Sequence, residues 1–115
     1  MWTVENGGLT SPSGKSWKAA SGPYGKGRLE KGIYTIGTMV DVNPPNYRKG
    51  AFKDSAGNAW FCPIKSDSTS TRKGLGIHPD GSVPGTEGCI GLTEMDTSSA
   101  YSKLKKAKGE KLEVK

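Results

Sequence analysis

A chain of 115 residues is long enough for one domain with a modest core and too short for two. Its 17 glycines and seven prolines approach a disordered composition, but three tryptophans, four tyrosines and β-branched runs indicate a folded, turn-rich, mainly β domain spanning residues 1–115. A net charge of +6 favours anionic partners such as a bacterial wall, nucleic acid or anionic lipid, and no apolar stretch is long enough to cross a bilayer.

The first half of the chain predicts short strands separated by turns. Residues 2–4 and 16–20 have strand patterns, and Asn-Gly-Gly at 6–8 is a strong turn signal. Residues 32–37, Gly-Ile-Tyr-Thr-Ile-Gly, form the clearest predicted strand because β-branched and aromatic residues lie between glycines. A bend then leads into a continuation over 39–42.

The second half predicts three more short strands. Residues 59–64 are an apolar strand in which Pro63 indicates an edge position or a bulge. Residues 75–77 form a short strand that enters a turn at 78–81, and residues 89–92 form a short buried strand.

One helix is predicted near the C-terminus. Thr93 and Asp96 resemble a capping pair, and Gly109 occupies a position suited to a C-terminal cap. The residues that share one helical face are Thr97, Ala100, Tyr101 and Leu104. Residues 112–114 then form a closing strand. The predicted fold is a compact mixed β-sandwich or barrel with one helix, and the lysines between 103 and 111 are expected to be its solvated face.

The single histidine and one of the two cysteines form a candidate catalytic pair. His78 and Cys89 each lie at the end of a predicted strand beside a Gly/Pro loop, where catalytic groups are commonly displayed. A thiol needs a nearby base to become a thiolate, and an imidazole within hydrogen-bond reach supplies one. The backbone N–H groups of Gly88 and Cys89 are candidate oxyanion donors. Asp80 and the backbone carbonyl of Pro79 are the two candidates for orienting the imidazole.

Three plainer interpretations compete with this pair. A lone histidine in a turn and a lone cysteine in an apolar strand are usually structural. Cys62 lies in an apolar run and is expected to be core, although a disulfide between Cys62 and Cys89 is a further alternative. A zinc site is a weaker alternative because the spacing fits no ordinary zinc pattern; its ligands would be His78, Asp80, Cys89 and Cys62.

Two motifs resemble the active-site signature of a known family. Ile77-His78, followed by Thr86-Glu87-Gly88-Cys89-Ile90, resembles the signature of L,D-transpeptidases, the YkuD-type catalytic domain. Upstream, Ser21-Gly22-Pro23 and residues 32–37 look like stretches of compact members of that family, which include phage proteins and secreted antibacterial effectors. The resemblance covers residues 20–92.

The resemblance implies a cysteine acyl-enzyme that acts on peptidoglycan stem peptides and needs no cofactor. It assigns the nucleophile to Cys89, the base to His78 and the orienting acceptor to the carbonyl of Pro79. Contacts with the substrate are expected from Arg72, Asp80, Thr86 and Glu87. A monomer that binds no nucleic acid is expected.

This sequence departs from the family pattern at three points. The segment between the histidine and the cysteine is several residues shorter, Glu87 replaces a second histidine, and Gly91 replaces an arginine or asparagine. A shortened, open cleft admits water, which favours hydrolysis or exchange over cross-linking.

Two further expectations concern delivery and a rival function. No signal peptide is visible in residues 1–10, so delivery to the wall by holin-type lysis or a secretion system is expected. The alternative function is a non-catalytic wall-binding or nucleic-acid-binding module on the same fold. Reactivity of the Cys89 thiol distinguishes the two, because a binding module has no need of an activated thiolate.

Overall fold

The computed structural model describes residues 1–5, 7–20, 29–41, 54–58, 60–67, 75–79 and 90–115. These residues form nine strands and one helix: β1 Trp2–Glu5, β2 Gly8–Thr10, β3 Ser16–Ala20, β4 Gly32–Ile36, β5 Val40–Asp41, β6 Trp60–Ser66, β7 Gly76–Pro79, β8 Ile90–Leu92, α1 Ser98–Lys105 and β9 Lys111–Val114. The prediction of a mainly β fold with one helix near the C-terminus is confirmed.

Eight of the strands close into a barrel. They follow the order β4-β9-β1-β2-β3-β8-β7-β6, and β6 pairs back onto β4. β5 pairs with β6 outside this ring. The β1–β9 and β7–β8 pairs are parallel and the other described pairs are antiparallel. Closure pairs the strands on both sides, so the sheet has almost no open edge.

The interior of the barrel is filled by the apolar residues that alternate along each strand. In β3, Trp17 and Ala19 are buried while their neighbours Ser16 and Lys18 are exposed, as the period of two requires. Trp2 lies almost parallel to Trp17, with 6.1 Å between ring centroids. Such offset stacking adds to the stability that burial of the rings provides.

The strand β2 was not predicted. β2 spans only Gly8–Thr10, directly after the turn that the Asn-Gly-Gly signal predicts. It pairs with β1 on one side and β3 on the other, so Leu9 lies opposite Val4 and Trp17. β2 is too short to show an alternating pattern in the sequence, and its pairing with β1 and β3 holds it in the sheet.

Pro63 does not mark an edge or a bulge. β6 lies inside the sheet, where residues 60–61 pair with β5 and residues 64–66 pair with β4. Pro63 falls between these two pairings, and its carbonyl accepts a hydrogen bond of 2.8 Å from the Gly37 N–H. A proline is tolerated here because no partner strand requires its missing N–H.

The helix begins later than predicted, and its cap is not local. Thr97, rather than Thr93, is the N-terminal flanking residue of α1. Its N–H and its hydroxyl each donate to Asp54 Oδ2 at 2.7 Å, and the Ser98 N–H donates to Asp96 Oδ1 at 2.9 Å. A carboxylate from a distant segment therefore satisfies donors at the start of the helix.

The predicted helical face is confirmed, but the predicted C-terminal cap is wrong. Thr97, Ala100 and Leu104 are buried. The helix ends at Lys105, and Lys106 is its C-cap. Gly109 lies in the turn before β9 with a φ of +88°, and its N–H donates to the Ile36 carbonyl at 2.7 Å. The glycine serves that turn, because a positive φ costs glycine little.

The lysine run lies on the solvated surface, as predicted. Lys103, Lys105, Lys106, Lys108 and Lys111 are all exposed. Two of them fall in the last turn of α1, where positive charge complements the partial negative charge of the helix end. Among the described residues, no helix is both long and apolar enough to cross a membrane.

Candidate active site

His78 lies within a barrel strand rather than in the turn that the sequence predicts. β7 includes His78 and Pro79 and is paired with β6 on one side and β8 on the other. Ile77 belongs to the core, so the alternation of the strand directs His78 to the opposite face. The side chain is nevertheless only 4% exposed. An imidazole held this way has a restricted set of orientations.

The backbone carbonyl of Pro79 holds one nitrogen of the imidazole. His78 Nδ1 lies 2.7 Å from the Pro79 carbonyl oxygen. A carbonyl oxygen can only accept a hydrogen bond, so Nδ1 carries the hydrogen, and in the neutral ring Nε2 is the nitrogen without one. The sequence named this carbonyl as one of two candidate acceptors; the other, Asp80, lies outside the described residues. The contact is present, and its role in catalysis stays a prediction.

A third residue at the site, Phe61, was not singled out from the sequence. Its ring stacks on the imidazole of His78, with 6.1 Å between ring centroids and 17° between the planes. β6 pairs with β7 so that Cys62 lies opposite Ile77, which places Phe61 opposite His78 on the same face. The alternation in residues 60–64 separates the two faces of β6, but only the register identifies the partner of Phe61.

Small residues lie on the other side of His78. Gly91 in β8 is in register with His78, and Ala20 in β3 is in register with Gly91. A row of positions therefore runs across four strands from Ala20 to Phe61. The imidazole of His78 therefore has Gly91, which has no side chain, on one side and the ring of Phe61 on the other.

Cys62 is a core residue, as predicted. It is fully buried and free, and burial raises the pKa of its thiol to about 12. The alternative of a disulfide with Cys89 is therefore wrong. Cys62 also lies on the face of the sheet opposite His78, so the two cannot share a metal ion, and this removes one ligand from the zinc alternative. Within the described ranges, no group of three or more His, Cys, Asp or Glu side chains is placed to hold a metal.

The remaining predicted site residues lie outside the described residues. They are Arg72, Asp80, Thr86, Glu87, Gly88 and Cys89. Their roles stay predictions. The structure describes His78, the Pro79 carbonyl that it contacts and the strand β8 that begins at Ile90.

Comparisons of the chain with protein-family models, with curated proteins and with solved structures found no match. The likeness to L,D-transpeptidases therefore depends on the motif residues themselves. Function is argued below from those residues and from the geometry around His78.

Proposed function

We propose that this protein is a cysteine acyl-transfer enzyme that modifies peptidoglycan stem peptides, with Cys89 as nucleophile and His78 as base. The observation that carries the proposal is the contact of 2.7 Å between His78 Nδ1 and the Pro79 carbonyl. It leaves Nε2 as the proton acceptor, which is the state that a general base requires.

The register of β7 and β8 supports the pairing of His78 with Cys89. Ile90, the first residue of β8, lies opposite Ile77, and Gly91 lies opposite His78. Cys89 is bonded to Ile90, so it lies two positions along the chain from Gly91, the partner of His78.

The proposed reaction proceeds in two steps. His78 Nε2 takes the proton of the Cys89 thiol, and the thiolate adds to a carbonyl carbon of the stem peptide. The C–N bond breaks, the proton passes to the leaving amine, and a thioester remains on the enzyme. Water or an incoming amine then attacks the thioester and gives its proton to Nε2. The products are a shortened stem in the first case and an exchanged one in the second, with the thiol restored.

The N–H groups of Gly88 and Cys89 are the proposed donors to the oxyanion. Arg72, Asp80, Thr86 and Glu87 are the proposed substrate contacts. Removal or exchange of stem residues would weaken a target wall, which is the behaviour of a phage lysin or a delivered antibacterial effector.

The test is incubation with purified muropeptides followed by mass spectrometry, alone and with an added D-amino acid. We expect the wild-type protein to remove or exchange a terminal residue of the stem peptide. Mass spectrometry distinguishes these outcomes, because each gives its own mass change. Cys89→Ala should abolish the change. Cys62→Ala is the matched control, since it removes the other cysteine and should keep the activity at temperatures where it is folded.

Thiol labelling separates the enzyme from a binding module. The rate of Cys89 alkylation by iodoacetamide near neutral pH should fall several-fold in His78→Ala, because a thiol without its base returns toward a pKa of about 8.5. Equal labelling rates in both proteins, together with unchanged muropeptides, would overturn the proposal and favour the wall-binding alternative.

A further inference from the structure

The ring of Phe61 lies in space that only a glycine at position 76 leaves open. A Cβ on Gly76 would lie 2.4 Å from Phe61 Cζ and 2.7 Å from Phe61 Cε2. It would also lie 2.8 Å from the carbonyl oxygen of Cys62. Gly76 is not among the glycines with a positive φ, so the space occupied by its neighbours, rather than the shape of its own backbone, requires a glycine.

Gly76 and His78 lie on the same face of β7, two residues apart. The Phe61 ring therefore extends from its position opposite His78 across Gly76 and presents a flat surface to the imidazole, as the angle of 17° between the two planes shows. Offset stacking of rings at this separation is a favourable arrangement. Phe61 is half-buried.

The two contacts of the imidazole restrict different movements. The hydrogen bond to the Pro79 carbonyl selects the tautomer, but a single hydrogen bond resists tilting of the ring only weakly. A flat ring packed against the face of the imidazole resists that tilt. Together they direct Nε2 along one line, and catalytic rates depend steeply on such alignment.

We propose that Phe61 is a positioning residue for His78 and that position 76 is a glycine so that the Phe61 ring can lie against the imidazole. This inference rests on the proposed function, since the orientation of His78 matters for chemistry only if His78 is the base. Phe61 acts through the imidazole and has no part in bond making or breaking.

The test compares Phe61→Leu, which keeps an apolar side chain without a flat ring, with Phe61→Tyr, which keeps the ring. Because the chain has one histidine, a long-range ¹H–¹⁵N spectrum gives a single, unambiguous set of imidazole signals. We expect the wild-type protein and Phe61→Tyr to show the Nδ1–H tautomer alone. Phe61→Leu should show averaged shifts of both tautomers, because a ring that tilts breaks the hydrogen bond to the Pro79 carbonyl that selects the tautomer.

With muropeptides, Phe61→Leu should lower kcat about tenfold and leave KM within about twofold, whereas Phe61→Tyr should retain the rate. Tyr101→Leu is the matched control, because it removes another half-buried ring, one that packs on Trp60 in the core. It should lower stability and leave the tautomer and kcat unchanged.

The inference is overturned if Phe61→Leu shows the wild-type tautomer and the wild-type kcat. Failure of the proposed function gives a different result, in which the wild-type protein itself leaves muropeptides unchanged. The spectrum still decides in that case whether Phe61 orients His78, because it does not depend on turnover.

Discussion

Cys62 and His78 lie on neighbouring strands of one barrel, and the direction of each side chain decides its chemistry. Cys62 faces the core, where burial removes the solvent that would stabilise a thiolate and so raises the pKa of the thiol. His78 faces the other side, where a carbonyl orients one nitrogen and leaves the second as an acceptor. A reversal of the alternation would exchange these environments, so the period of two along β6 and β7 determines which group can react.

At this scale we predict that Cys62 is unreactive and contributes to stability. Burial raises the pKa of its thiol to about 12, so iodoacetamide should label one cysteine in the native protein near neutral pH and two in the unfolded protein. Cys62→Ala should lower the free energy of unfolding by about 1 kcal/mol, measured by urea unfolding, because it removes buried contacts. Rapid labelling of two cysteines in the native protein would contradict the prediction.

At the scale of elements, Asp54 joins the turn at 54–58 to the start of α1. Its Oδ1 accepts the Asn58 N–H at 2.9 Å, and its Oδ2 accepts both the N–H and the hydroxyl of Thr97 at 2.7 Å. The same Thr97 hydroxyl accepts the indole N–H of Trp60 at 3.0 Å. One buried carboxylate thus connects a turn, a helix and the beginning of β6.

This network makes the stability of the domain depend on pH. Burial alone would raise the pKa of Asp54, but hydrogen bonds from Thr97 and Asn58 outweigh it and hold the pKa below the ordinary value of 3.8. The folded state therefore favours the charged form. Its stabilising contribution is complete above the unfolded pKa of about 3.9 and is lost as the pH falls through the lower, folded pKa.

We expect Asp54→Asn to lower the free energy of unfolding near neutral pH by about 2 kcal/mol, because an amide cannot replace all of the accepted hydrogen bonds. The variant should also lose less stability than the wild-type protein on acidification, measured by urea unfolding at neutral pH and at about pH 3. Asp67→Asn is the control, since Asp67 is a surface carboxylate paired with Lys111, and its effect should be smaller. If the free energy of unfolding falls equally in the wild-type protein and in Asp54→Asn on acidification, the pH dependence belongs to groups other than Asp54.

The strands predicted from the sequence are those whose own residues show a strand pattern, either β-branched and aromatic residues or an apolar–polar alternation. Residues 32–36 have β-branched and aromatic residues after a glycine, and residues 16–20 alternate visibly. The helix start was missed because its cap comes from Asp54, 43 positions before Thr97. No local pattern contains that information.

The same division applies to the candidate site. The Pro79 carbonyl was one of two predicted acceptors for His78, both within two residues of it, and the resemblance favoured the carbonyl. The contact with Phe61 was not predicted, because it depends on the register between β6 and β7. A glycine at position 76 is visible in the sequence. The reason for it, that a side chain there would overlap the ring of Phe61, is visible only in the structure.

At the scale of the whole molecule, β9 completes the barrel between the first strand and β4. Leu112 is fully buried and lies opposite Trp2 of β1 and Tyr34 of β4. β5, in contrast, adds to β6 outside the closed ring, and its Val40 is 50% exposed. Truncation of a side chain should therefore have very different consequences in these two strands.

We expect Leu112→Ala to lower the free energy of unfolding by about 3 kcal/mol, the usual cost of a cavity in a packed core. Val40→Ala is the control and should cost less than about 0.5 kcal/mol. Urea unfolding followed by tryptophan fluorescence measures both, because all three tryptophans are buried. Similar losses in the two variants would contradict a core that depends on closure by β9.

His78 lies on a strand that has a paired neighbour on each side, and these pairings determine when the orientation of its imidazole can be lost. Segments that open by local fluctuation have few buried contacts, whereas central strands exchange their amide hydrogens with solvent only when the domain unfolds globally. Every described position of β7 and β8 is buried. The imidazole is therefore in its oriented state whenever the domain is folded, and heating cannot disable it separately. A sample that is unfolded and then refolded recovers the orientation of His78 in the same cooperative step as the barrel.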